Sequence, residues 1–161
     1  MSVRLDGDLA YRQELRTKLI QSVRLAAVLI ALAAVSFAFV DPFLNAKNPA
    51  ALIIVRGGLL GSVILIGACS YTAFGRSMRV LRVFSYLEGL CCGFAVALLT
   101  LLTGGSASPY WPMQMLTFFG TTLVLRYSVT EAASVFLTIF CFYNVLLYQA
   151  GESPKTVSFV V

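Results

Sequence analysis

The sequence predicts an all-α fold, a polytopic membrane helix bundle, and three observations carry the prediction. Of 161 residues, 59% are hydrophobic, and the chain holds only 12 Lys/Arg and 7 Asp/Glu. A charged share of 12% is about half of the ~25% usual in a soluble domain. The mean hydropathy is +0.87, and the apolar residues gather into five long runs rather than spreading evenly. A water-soluble globule of this composition could not cover itself with polar surface, and the chain is too long for a single anchor. The net charge of +5 needs no nucleic-acid partner, because cytoplasmic loops of membrane proteins are routinely rich in Lys and Arg.

The first run extends from Lys18 to Val40 behind a charged amphipathic stub, residues 1–17. It is not a cleavable signal, since a long polar stretch precedes it and no suitable cleavage site follows. Asp41-Pro42 and Asn48-Pro49 bracket the next loop, and the second run covers Ala50 to Phe74. Gly75 opens the loop to the third run, Val83 to Thr103. Gly104-Gly105-Ser106-Ala107-Ser108-Pro109 punctuates the chain before the fourth, Tyr110 to Tyr127, whose Tyr110 and Trp111 stand where interfacial aromatics belong. A tight turn near Ser128 leads to the fifth, Val129 to Tyr148. Each run has about 18 to 25 residues, enough at 1.5 Å rise to cross a hydrocarbon core ~30 Å thick. Period-two alternation is absent, which argues against porin strands. The bundle therefore occupies residues 18–150. Residues 151–161 read as an extracytoplasmic tail or the start of a sixth helix, because Thr156 to Val161 is an apolar segment just begun.

Basic residues set the expected orientation. Arg4, Arg12, Arg16, Lys18, Arg76, Arg79 and Arg82 flank the stub and the second loop, whereas the first and third loops hold only Lys47. The positive-inside rule then places the amino terminus in the cytoplasm, with five crossings of the membrane.

Chemistry is narrowed by what the chain lacks. There is no histidine, which removes His-ligated haem, His-containing zinc sites and Ser-His-Asp or Cys-His catalysis. Cys69, Cys91, Cys92 and Cys141 lie in apolar runs without CxxC spacing and read as small packing residues. No catalytic constellation, metal site or cofactor is implied. Attention falls on polar groups inside the apolar runs, which are costly in a bilayer unless they pair or snorkel. Arg24, Glu88 and Arg126 all lie toward the cytoplasmic side and are expected to form an intramembrane polar cluster. Glu88 is too short to snorkel and so should face the interior. Arg56, with Gln114, Tyr110 and Trp111, marks an outward-facing pocket for a small or lipidic ligand. Gly57 and Gly61, and Gly89 and Gly93, are small-xxx-small steps that allow close helix packing, within the chain or between two copies in a homodimer.

The order of features adds a resemblance. A basic stub, a first helix ending near Asp41-Pro42, the Tyr110-Trp111-Pro112 entry to the fourth helix, Arg126 at its end and Phe142-Tyr143-Asn144 to Tyr148 in the fifth resemble the amino-terminal membrane sensor module of bacterial signalling proteins. Such modules precede GGDEF diguanylate cyclase, class III adenylate cyclase or histidine kinase output domains. The resemblance implies an input module of the bacterial inner membrane, itself without catalysis, completed by a sixth helix and an output domain. A small accessory or assembly subunit of a larger membrane complex fits the composition as well.

The topology has a direct check. Single cysteines placed at Ser106 and Ser77 in a cysteine-free chain should react with an impermeant maleimide from outside and only after permeabilisation, respectively. Reversed labelling would overturn the orientation.

Overall fold

The computed structural model describes residues 2–39, 48–75, 77–105, 108 and 110–150, without the side chains of 2–10, 12 and 111. Five helices follow one another: α1 (Ser2–Ala38), α2 (Pro49–Cys69), α3 (Met78–Leu102), α4 (Trp111–Leu125) and α5 (Val129–Gln149). No strand occurs among the described residues. Asp41-Pro42, Lys47, Arg76 and the 151–161 tail lie outside them.

Four stretches are long and apolar enough to cross a membrane: Gln13–Ala38, Pro49–Cys69, Met78–Leu102 and Val129–Gln149. The fourth run falls short of its expected span. Helix α4 has 15 residues, about 22 Å of rise against the ~20 residues a straight crossing needs. Tyr110 sits in the turn before it, and Arg126 leaves the helix in the left-handed region, with φ 53° and ψ 47°. Hydropathy counts both flanks as part of the run, whereas the backbone has already turned.

Other boundaries move for local reasons. The stub is not a separate lead-in, because α1 is continuous from Ser2, with Glu14 and Lys18 paired at 2.5 Å one turn apart. Helix α2 starts on Asn48, whose side chain accepts from the Ala51 N–H at 3.2 Å, with Pro49 following. It stops at Cys69, where the Ser70 hydroxyl donates to the Gly67 carbonyl at 2.7 Å. The following turn brings Gly75 so close to the Cys69 carbonyl that no Cβ fits. Helix α3 begins at Met78, earlier than hydropathy places it, because Leu81 is fully buried while Arg79 and Arg82 point outward. Gly104 and Gly105 turn the chain with φ of 120° and 60°, which other residues rarely adopt. Ser128 and Glu131 close a reciprocal capping box at the start of α5.

The bundle is organised around α3. Of its spanning stretch 56% is buried, against 28% for α1 and α2 and 11% for α5. Helices α1, α2, α4 and α5 all pack on it. One stripe of α3, Leu81, Ser85, Glu88, Cys92, Ala95 and Leu99, repeats every three or four residues and is buried along its length. Against it α1 presents Val23, Ala26, Ala27 and Ile30, and α2 presents Leu59, Val63 and Ile66. Small residues set the spacing, and a Cβ on Gly67 would stand 3.3 Å from that of Ala27. Large apolar side chains such as Leu32, Ile53, Ile64, Leu123 and Leu137 point outward, the arrangement expected where lipid is the solvent.

The two glycine steps separate here. Gly89 and Gly93 are buried, and an added Cβ would run into the Tyr127 hydroxyl and the Ile139 side chain respectively. Gly57 and Gly61 face open space, so they form no packing seam inside this chain. Gly93→Ala should therefore cost about 1–3 kcal/mol through overpacking, whereas Gly57→Ala should be neutral or add up to about 1 kcal/mol of helix stability. Unfolding of both variants in mixed detergent micelles would measure the difference.

Candidate functional site

The most constructed polar site lies at the end of the bundle where α1 finishes and α2 and α4 begin. Arg56 stands about 10 Å along α2 from Pro49 by helix rise and is only 7% exposed. One guanidinium nitrogen donates to the Tyr110 hydroxyl at 2.6 Å and another to the Ala34 carbonyl of α1 at 3.3 Å. The guanidinium carbon lies 5.6 Å from the Tyr110 ring centroid. Tyr110 is itself buried, packed on Leu52 of α2 and Leu99 of α3, with Phe37 of α1 edge-on at 6.2 Å. A buried guanidinium costs several kcal/mol unless its donors are satisfied, and these bonds join α2 to α1 and to the turn before α4 through one side chain. The preceding loop is built to hold Tyr110. The Thr103 and Ser108 hydroxyls bond to each other, and Ser108 Oγ accepts from the Tyr110 N–H at 3.1 Å.

Below this pair runs a groove of about 240 Å³ between α1, α3 and α4. Arg56 and Tyr110 line one end, Ile30 and Ala33 one wall, and Leu116 and Gly120 the other. Its lining is apolar apart from those two residues and Thr117 and Thr121. Thr121 Oγ1 donates along α4 itself, to the Thr117 carbonyl at 2.8 Å. A second hollow, of about 480 Å³, lies on the α1–α2 side, and Arg56 borders both.

Of the residues expected to make the outer pocket, Arg56 and Tyr110 come together. Gln114 does not join them, because it lies on the side of α4 that faces α5 and lines a small cleft with Gly93 and Tyr143. The helical turn of 100° per residue separates it from Met113 and Thr117, which line the groove. The Trp111 side chain lies outside those described.

The expected cluster of Arg24, Glu88 and Arg126 is not formed. Arg24 turns to the end of α2, donating to the Ser70 hydroxyl and the Ser70 carbonyl, each at 3.2 Å, with its guanidinium 3.7 Å above the Tyr71 ring. Carbonyls at a helix C-terminus and an aromatic face both favour a cation. Arg126 is exposed and serves as the left-handed cap of α4. Glu88 does face the interior and is fully buried, but neither carboxylate oxygen has a hydrogen-bond partner among the described residues. Because α3 begins at Met78, Glu88 lies about 15 Å along it, deeper than the shared cytoplasmic level expected from the sequence.

Two residues that sequence reasoning passed over belong to this region. Tyr127 donates to the Ser85 carbonyl at 2.5 Å and fixes the end of α4 to α3, while the Ser85 hydroxyl is buried without a partner. Their signals were a tyrosine at a tight turn and a serine on the α3 stripe. Among the described residues, no group of three His, Cys, Asp or Glu is placed to hold a metal ion.

Replacing an unpartnered buried polar group by an apolar one of similar shape is neutral or stabilising. Glu88→Met should therefore raise the stability of the isolated protein, by about 1–3 kcal/mol, and more than Glu88→Gln does. Thermal unfolding in detergent would distinguish this from the pairing expected on sequence, for which the glutamine variant would be the better tolerated.

Compared with protein-family models, with curated proteins and with solved structures, the chain matches none, and its function must be read from its own residues.

Proposed function

We propose that this chain is the membrane-embedded input module of a bacterial signal-transduction protein, controlling a cytoplasmic output domain that makes a nucleotide second messenger. The observation that carries the reading is the groove between α1, α3 and α4, ended by the buried Arg56–Tyr110 pair. A largely apolar hollow with a few fixed polar groups is the usual form of a ligand site inside a helix bundle. In this reading all five helices cross the inner membrane, with the amino terminus in the cytoplasm. Helix α4 is short, yet it runs from the Tyr110 level beside Leu99 to Tyr127 beside Ser85, about 21 Å apart along α3 by helix rise.

A small or lipidic ligand in the groove moves α4 relative to α1. The three-residue turn at Arg126 to Ser128 couples that motion to α5, which leads on through a sixth helix to the output domain. A ligand shifts such a two-state bundle only by its difference in affinity for the two packings, and a full switch needs about 5.5 kcal/mol.

A second reading, an accessory subunit of a larger membrane complex, is favoured by the open face of α2. Gly57, Gly58 and Gly61 have nothing within 4 Å of an added Cβ, and such a face suits a further helix, from a second copy or from another subunit.

The two readings part in one experiment. The chain is fused through a sixth transmembrane helix to a cyclase domain, and product is measured in membranes from cells given candidate stimuli. The sensor reading expects a stimulus-dependent change in product that Arg56→Gln abolishes while membrane insertion is unchanged. Product indifferent to every stimulus, with the chain purifying in fixed ratio with other membrane proteins, would establish the accessory role instead.

A further inference from the structure

At the opposite end of the bundle from Arg56, three cations from three different elements surround a small hollow. Lys18 of α1, Arg82 of α3 and Arg126 from the α4–α5 turn line it, together with Ser85 and Tyr127. Its volume is about 90 Å³, well above the ~10–15 Å³ needed by one water and on the scale of a small anion. We propose that this hollow binds the phosphate of an anionic phospholipid headgroup.

The base of the hollow supplies the second reason for a ligand. Ser85 is 3% exposed and its hydroxyl has no partner. Hydroxyls elsewhere in these helices bond back to a carbonyl one turn earlier, as Ser62 does to Gly58 at 2.8 Å and Thr100 to Val96 at 2.7 Å. Ser85 does not, and its own carbonyl is taken by Tyr127 at 2.5 Å. A buried donor facing a cationic rim is completed by an acceptor that carries negative charge.

The one carboxylate on the lining is Glu131. It is committed to the α5 cap, accepting from the Ser128 N–H at 2.8 Å and the Ser128 hydroxyl at 2.9 Å, and it lies 3.9 Å from Arg82. Of the three rim cations, Lys18 is paired with Glu14 at 2.5 Å on its outer side and Arg82 stands beside Glu131, which leaves Arg126 as the one with no carboxylate within 4 Å among the described residues. Glu88 lies a turn deeper on α3 and is not part of the lining. The walls are fixed by bonds that do not involve the cations, since Tyr86 bonds to the Ser134 hydroxyl at 3.0 Å and its ring lies 5.7 Å from that of Tyr127.

A lipid fits better than free phosphate because the same hollow has an apolar edge. Leu15, Leu19 and Met78 line it beside the cations, and Leu15 is exposed. Acyl chains can lie against these side chains while the phosphate sits among the cations. Basic pockets between helices at the membrane surface recognise anionic headgroups in this manner.

The test uses the full chain in detergent, with bound lipid counted by native mass spectrometry. Offered equal amounts of phosphatidylglycerol and phosphatidylcholine, the protein is expected to retain the anionic lipid about tenfold better, as one hydrogen-bonded charge contact would provide. Ser85→Ala and Arg126→Gln should each lower that preference several-fold, Ser85→Thr should keep it, and Arg79→Gln, on an exposed arginine outside the hollow, should leave it unchanged. Thermal unfolding of each variant without lipid shows whether it is folded. Equal retention of the two lipids overturns the proposal, and so does a preference that Ser85→Ala and Arg126→Gln leave intact in folded protein. Loss of bound phosphatidylglycerol to an equal concentration of inorganic phosphate would assign the site to the free anion and overturn the lipid assignment.

Discussion

How closely four helices approach α3 governs the rest of this structure. Between helices in a bilayer there is little hydrophobic gain, because lipid is as apolar as leucine, so association depends on close packing and hydrogen bonds. Helix α3 supplies close packing to all four neighbours, and hydrogen bonds to Tyr127 and to Ser134 of α5. Its buried positions include Ser85, Gly89, Gly93, Ala95, Ala97 and Thr100, small enough to let neighbours reach the backbone. Tyr127 rests on Gly89 and Ile139 on Gly93. Tyr143 and Leu147 of α5 close over Ala97, with the Phe142 ring tilted at 47° and 4.4 Å from that of Phe94. Many bulky residues of the other helices, among them Leu32, Ile53, Leu123 and Leu137, lie on the outside, where lipid accommodates any shape.

Polar side chains then fix the ends of this packing rather than its middle. Arg56 ties α2 to α1 and to Tyr110 at one end. At the other, Arg24 ties α1 to the end of α2, and Tyr127 ties the end of α4 to α3. The bonds of Arg24 and one of those of Arg56 end on the loop residues Ser70 and Tyr110, and Ala34 lies one turn from the end of α1, whereas Ser85 lies within α3. Between these belts Glu88 stands in the core without a partner among the described residues, in the part of the bundle with least polar support.

The two hollows sit on either side of that level. The Arg56 groove opens between α1 and α4, and the basic hollow lies under the α4–α5 turn. Helix α4 borders both, through Leu116 and Gly120 in the first and Leu125 and Arg126 in the second. It is the shortest helix, so a displacement at one end is transmitted with little bending to the other. The geometry thereby connects a proposed ligand at one surface with a proposed headgroup at the other through a single rigid element.

What the sequence determined by itself is local: an all-helical membrane chain, five apolar runs, their connecting turns at Asn48-Pro49, Gly104-Gly105 and Ser128, and the short roster of polar residues inside them. Hydropathy and turn chemistry are sums over neighbours in the chain, so they survive without knowledge of the fold. The tertiary structure decided which of those polar residues meet. Arg24 and Glu88 look level in the sequence, yet α1 turns Arg24 toward Ser70 and Tyr71 while α3 carries Glu88 into the core. Gln114 and Tyr110 are four residues apart, yet only Tyr110 reaches Arg56. Gly57 and Gly61 match the same motif as Gly89 and Gly93, but only the second pair faces a neighbour. In each case the deciding quantity is the rotation of a helix about its axis, set by packing against elements distant in the chain. A window along the sequence does not contain it.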